Sequence, residues 1–124
     1  MKGTAGGGAA DSGRVLLVHD DERHRRTMVA AISGLGFEVV EASTPVEAIW
    51  ELENGPMDFQ AALVARELGP SDGRDIVRFI SLRYPGVTKV LFGTDDPTEI
   101  DPRHVDAVLG SMEHPDLKRL LERE

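Results

Sequence analysis

Val15-Leu16-Leu17-Val18-His19-Asp20-Asp21-Glu22 decides how the rest of the chain is read. Four consecutive apolar residues, two of them β-branched, occur in buried strands and in buried helix segments alike. The run is brief and follows a Gly-rich leader, which favours a strand buried on both faces. Such a strand delivers Asp20 and Asp21 to the carboxyl edge of a parallel sheet, where open α/β folds place their sites. Two adjacent carboxylates there suit a hard divalent cation such as Mg²⁺, which takes oxygen ligands. They suit equally well the capping of the helix that follows, since Asp is a strong N-cap residue.

Upstream, positions 1–13 contain five glycines and almost nothing to bury, which predicts a disordered leader. Downstream, Glu22 to Ser33 reads as a helix with Met28, Ile32 and Leu35 in one stripe and Arg23, Arg25 and Arg26 facing out. Gly34 and Gly36 stop it. A second strand is expected over Phe37–Glu41. Thr44-Pro45-Val46-Glu47 then starts a second helix with a cap, a Pro at the first helical position and a Glu three residues after the cap. That helix runs to about Glu53, offering Val46, Ile49, Trp50 and Leu52 to the core. Gln60 to Ala65 is a third buried strand, followed by a loop with Gly69, Pro70 and Gly73. A helix over Gly73–Leu82 presents Ile76, Val77, Phe79 and Ile80, and strands over Thr88–Phe92 and Asp106–Leu109 come next. Pro115 opens a last helix with Leu117, Leu120 and Leu121 on one side. Strands alternating with helices give an α/β fold: a five-stranded parallel sheet covered on both faces.

One interval is too short for this pattern. Only eleven residues separate Thr94 from Asp106, and Pro97 and Pro102 limit helix within them. The fourth helix is therefore expected to be shortened or missing, with Ile100 and Val105 lying over the sheet. That leaves one flank of the sheet thinly covered.

Composition narrows the function classes. A chain of 124 residues fits one domain with a core of its own. The absence of cysteine excludes disulfides and thiolate metal sites. A net charge of −8 opposes a broad nucleic-acid footprint. No apolar run approaches a membrane span, and no signal peptide is evident, so a cytoplasmic location is the expectation. His19, His24, His104 and His114 show no familiar metal-ligand spacing, and His19 and His24 would not share a helical face. Ser111 lacks the elbow of a hydrolase nucleophile.

The order of elements, the Val18–Glu22 strand end, the Asp72-Gly73 turn, Leu91–Thr94 and the closing Val108-Leu109-Gly110 together resemble the bacterial response-regulator receiver domain over residues 14–124. The resemblance implies the flavodoxin-like receiver fold and a two-component signalling role, in which an Asp accepts a phosphoryl group from a phosphohistidine. That Asp would stand eight residues before Gly73, where this chain has Ala65. The phosphate-contacting Lys would fall on Ser111, and the aromatic switch residue on Val108. Thr94 matches the hydroxyl residue of the family, and Asp20 and Asp21 match its metal-holding acids. Glu67 lies where the family's backbone carbonyl assists the metal. A methyl group cannot attack phosphorus. The joint loss at 65, 108 and 111 favours a natural pseudo-receiver over a single engineered knockout.

The resemblance thus implies a non-enzymatic, phosphorylation-independent module with protein partners, compatible with a homodimer, and with neither nucleic acid nor membrane as target. It implies no cofactor beyond weakly held Mg²⁺ at Asp20, Asp21 and Glu67. Two rivals remain: a receiver that switches through metal or a small ligand at Asp20, Asp21 and Thr94, and a small Mg²⁺-dependent phosphoryl-transfer enzyme with Asp20 as nucleophile. The enzyme lacks a visible general acid.

Overall fold

The computed structural model describes residues 13–54, 59–94, 96–110 and 117–121. Its main sheet has five parallel strands in the order β2-β1-β3-β6-β7. These are β1 (Arg14–Val18), β2 (Glu38–Ala42), β3 (Phe59–Ala65), β6 (Thr88–Phe92) and β7 (Ala107–Leu109). The helices are α1 (Glu22–Gly34), α2 (Pro45–Asn54), α3 (Gly73–Arg83) and α4 (Leu117–Leu121). Val15 to Val18 and Ala61 to Val64 are all 0% exposed, as strands covered on both faces require. The chain leaves β1 toward β2 on one side, and leaves β3 toward β6 on the other. Right-handed crossovers therefore put α1 on one face of the sheet and α2 with α3 on the opposite face. The same divergence opens a crevice at the carboxyl ends of β1 and β3.

Met28 and Ile32 of α1 are buried, with Leu35 half-buried behind them. Thr44 caps α2 by accepting the Glu47 N–H at 3.1 Å, while the Glu47 carboxylate accepts both the N–H and the hydroxyl of Ser43. The reciprocal bond thus reaches one residue earlier than a capping box does. Two core assignments need correction. Val46 and Trp50 are 76% and 57% exposed, and α2 faces the sheet with Ala48 and, as expected, Leu52. Arg25 does not face out: its side chain is 15% exposed, bonded to the His19 carbonyl at 2.8 Å and to Glu41 at 2.9 Å.

Between β6 and β7 the shortened helix takes the form of two 3₁₀ turns, Pro97–Glu99 and Pro102–His104. Each has Pro at its start and an Asp cap, with Asp96 accepting the Thr98 N–H and Asp101 the Arg103 N–H, both at 2.9 Å. Ile100 between them is buried, and Val105 packs half-buried on the core. The predicted loop after β3 is a small antiparallel hairpin, β4 (Glu67–Leu68) with β5 (Ser71–Asp72). Gly69 supplies the positive φ (+60°) that its two-residue turn needs. The remaining strand and helix bounds differ from expectation by one residue or so, while Pro115, expected to open the last helix, lies outside the described residues. Gly13, taken as part of the leader, already accepts the Glu38 N–H at 2.9 Å, whereas positions 1–12 lie outside the described residues.

Candidate functional site

Backbone bonds beyond the strand ends build the floor of the crevice. His19 N–H donates to the Ala42 carbonyl, Arg66 N–H to Phe92 and Gly93 N–H to Leu109, at 2.8–3.0 Å. The result is a cleft of about 590 Å³ at the carboxyl edge. Asp20, Asp21, Ala65 and Glu67 line it, together with His19, His24, Arg66, Gly69, Phe92, Gly93 and Gly110. Ala65 is 4% exposed at the end of β3. Gly73 packs against it so closely that a Cβ there would run into the Ala65 carbonyl oxygen, which explains a glycine at the first residue of α3.

Thr94 is not among the lining residues; its hydroxyl oxygen accepts the Asp96 N–H at 3.2 Å. Val108 is half-buried on β7. Ser111 lies outside the described residues.

Asp21 caps α1, its Oδ1 accepting the His24 N–H at 3.2 Å. That backbone bond, followed by one from Arg23, holds its carboxyl below the usual range. Asp72 caps α3 and is forked by the Arg74 guanidinium at 2.6–3.1 Å, with Arg66 at 3.3 Å. The Arg74 bonds come first in pulling its pKa down. Arg66 therefore presents a cation at the cleft wall, held toward the β4–β5 hairpin.

The sequence gives no sign that His19 and His24 meet, but they do. His19 Nε2 and His24 Nδ1 stand 2.9 Å apart with their rings edge to face, because the βα turn folds the first turn of α1 back over the strand end. His19 is 9% exposed, lies edge-on to Phe92, and keeps its Nδ1 buried without a hydrogen bond, 3.5 Å from Asp20 Oδ1. Burial first, and His24 second, push the His19 imidazole below its ordinary pKa, against the pull of Asp20 and Asp21.

The donors present are a poor fit for Mg²⁺. That ion wants near-octahedral oxygen ligation. Here Ala65 brings no carboxylate, one oxygen of Asp21 is committed to the cap, and an imidazole pair occupies one wall. Among the described residues no three His, Asp or Glu side chains already converge on one point.

Neither a protein-family model nor a curated protein sequence matches the chain. Solved structures do. The response regulator TrrA from Thermotoga maritima, determined in complex with Mg²⁺-BeF, superposes with a TM-score of 0.75 at 17% identity, over 86% of this chain and 93% of its own. A CheY-like receiver domain from Methanospirillum hungatei gives 0.74 at 23% identity, over 86% and 87%. A receiver domain from Clostridium thermocellum gives 0.77 at 15% identity, over 87% and 90%. At such identities the likeness concerns the backbone, and the chain has the fold of CheY-like receiver domains.

Proposed function

We propose that this domain is a pseudo-receiver: a signalling module of the two-component type that acts through protein contacts without accepting a phosphoryl group. The observation that carries the proposal is Ala65, buried at the carboxyl end of β3 in the wall of the cleft, where a receiver needs its nucleophilic carboxylate. The substitutions at Val108 and Ser111 agree with it, since a Lys has no phosphoryl group to contact once the nucleophile is gone. The partner surface we assign is the flank where two 3₁₀ turns replace a helix, because reshaping it alongside the disabled pocket suits a constitutive interaction. Asp101 and Arg103, bonded to each other at 2.6 Å, mark its exposed rim.

Treatment with a reactive acyl phosphate and Mg²⁺, read by intact mass, tests the first limb. The expected result is no gain of one phosphoryl group, for the parent or after Asp20→Asn. A stoichiometric gain in the parent that disappears in Asp20→Asn would instead make Asp20 a nucleophile and revive the phosphoryl-transfer enzyme. Installing Ala65→Asp alone is expected to give little labelling, since the ammonium is still missing. Labelling at an ordinary receiver's rate would show that the lysine matters less than proposed.

A further inference from the structure

The cleft that fits Mg²⁺ poorly is better suited to a different ion. We propose that it binds a borderline transition-metal ion, with Zn²⁺ as the reference case, anchored on His19 Nε2 and His24 Nδ1.

Two imidazole nitrogens ligating one tetrahedral zinc, each about 2.0–2.1 Å from it, are separated by about 3.3 Å. The observed separation is 2.9 Å, so a widening of roughly 0.4 Å and a small rotation of the rings turn the hydrogen-bonded pair into a chelating pair. The second observation concerns the other face of His19. With metal on Nε2, its Nδ1 must carry the proton, and a metal-bound histidine characteristically directs that N–H at a carboxylate. In this chain Nδ1 is buried, makes no hydrogen bond, and lies 3.5 Å from Asp20 Oδ1. Metal on Nε2 would fix the tautomer that carries the proton on Nδ1, beside the Asp20 carboxylate.

Asp20 then orients the ligand and water completes the shell, in a cleft that Asp21 and Glu67 also line. The negative character of Asp20, Asp21 and Glu67 favours a cation over an oxyanion in the same space. Two imidazoles select among cations: nitrogen donors suit Zn²⁺, Ni²⁺ and Cu²⁺, whereas Mg²⁺ prefers oxygen. This inference goes beyond the pseudo-receiver proposal and does not require it, because phosphoryl labelling and Zn²⁺ titration have separate readouts.

The test is calorimetric titration of the full chain with Zn²⁺, Ni²⁺ and Mg²⁺, accompanied by ¹⁵N spectra of the histidine rings. Zn²⁺ should bind with one-to-one stoichiometry, at least about tenfold more tightly than Mg²⁺, and should shift the ring nitrogens of His19 and His24. His24 is exposed on the first turn of α1, so His24→Gln should fold normally, lose about tenfold or more in Zn²⁺ affinity and leave Mg²⁺ unchanged. Asp20→Asn should weaken Zn²⁺ binding by about tenfold through the orientation of His19. Equal affinity for Zn²⁺ and Mg²⁺ would overturn the proposal. So would unaltered Zn²⁺ binding in His24→Gln, or ring shifts confined to His104 and His114.

Discussion

Removing the carboxylate of Asp106 should harm the fold more than removing the ammonium that faces it. Lys89, at the start of β6, is 6% exposed. Its Nζ donates to the Val87 carbonyl at 2.6 Å and lies 3.5 Å from Asp106 Oδ2. The same Oδ2 accepts the Lys89 backbone N–H at 2.7 Å, and Asp106 N–H donates back to the Lys89 carbonyl at 2.8 Å. Asp106→Ala therefore strands a buried cation and a backbone donor together. At that separation two unit charges attract by about 5 kcal/mol at an effective dielectric of about 20, and by about 1 kcal/mol in water. The Asp106 side chain is 52% exposed, which draws the effective value down to about 2 kcal/mol. The orphaned N–H adds about 1 kcal/mol, so the expected loss is about 3 kcal/mol. Lys89→Met removes the desolvated charge, while Asp106 keeps water and the backbone bond; its stability should stay within about 1 kcal/mol of the parent. Urea unfolding of both variants and their double gives the coupling, expected near 2 kcal/mol, provided the m-values agree. Equal losses from the two single variants, or less than about 1 kcal/mol from Asp106→Ala, would refute the reasoning.

Other outcomes follow from the same contacts. Ala65→Asp adds a carboxylate at a position only 4% exposed in the parent, beside Asp20 and Asp21; it should lower stability by about 1–3 kcal/mol in chelator and regain part of that in millimolar Mg²⁺. Gly73→Ala should lose about 2 kcal/mol or more by denaturant unfolding, because its methyl meets the Ala65 backbone and not a movable side chain. Asp72 has a depressed pKa, so its stabilisation is present above the unfolded value of 3.8 and is lost as pH falls through and below it. Asp72→Asn should accordingly start less stable at neutral pH and lose less on acidification, as followed by thermal melts. Joint reversal at Asp101 and Arg103 should weaken capture of the cognate partner while moving the melting temperature by only a few degrees; retained capture, with loss on reversing Arg26 on the exposed face of α1, would move the interface there.

The fold was legible wherever burial is continuous. Val15–Val18 and Ala61–Val64 admit no water on either side, and their composition announces it. Chain length and two prolines foretold the lack of a full fourth helix, because eleven residues cannot hold a helix and its two loops. Trp50 misled for a physical reason. On α2 Leu52 and Ile49 were placed correctly, but Val46 and Trp50 were added on account of their size, and the smaller Ala48 was passed over. Ala48 is small because α2 packs closely, which side-chain bulk alone conceals. The β4–β5 hairpin was missed because strands of two residues carry no periodicity; Gly69-Pro70 marked a turn without revealing that its flanks pair.

The lining of the cleft was legible at positions defined by distance along the chain, and hidden where residues approach each other across a turn. Counting back eight residues from Gly73 reaches Ala65, which the structure does place in the cleft at the end of β3. His19 and His24 were judged as though both sat on one helix, where five residues place side chains on different faces. His19 belongs instead to the strand end and His24 to the first helical turn, so the reversal of direction between them brings the rings to 2.9 Å. Arg25 was misread by the same turn: one helical position further, it points back at the His19 carbonyl and out of solvent. The first residue beyond β1 and the third residue of α1 are therefore neighbours in this βα unit. Spacing rules derived for a single element miss such pairs, and here the missed pair stands at the same carboxyl edge to which the sequence assigned Asp20 and Asp21.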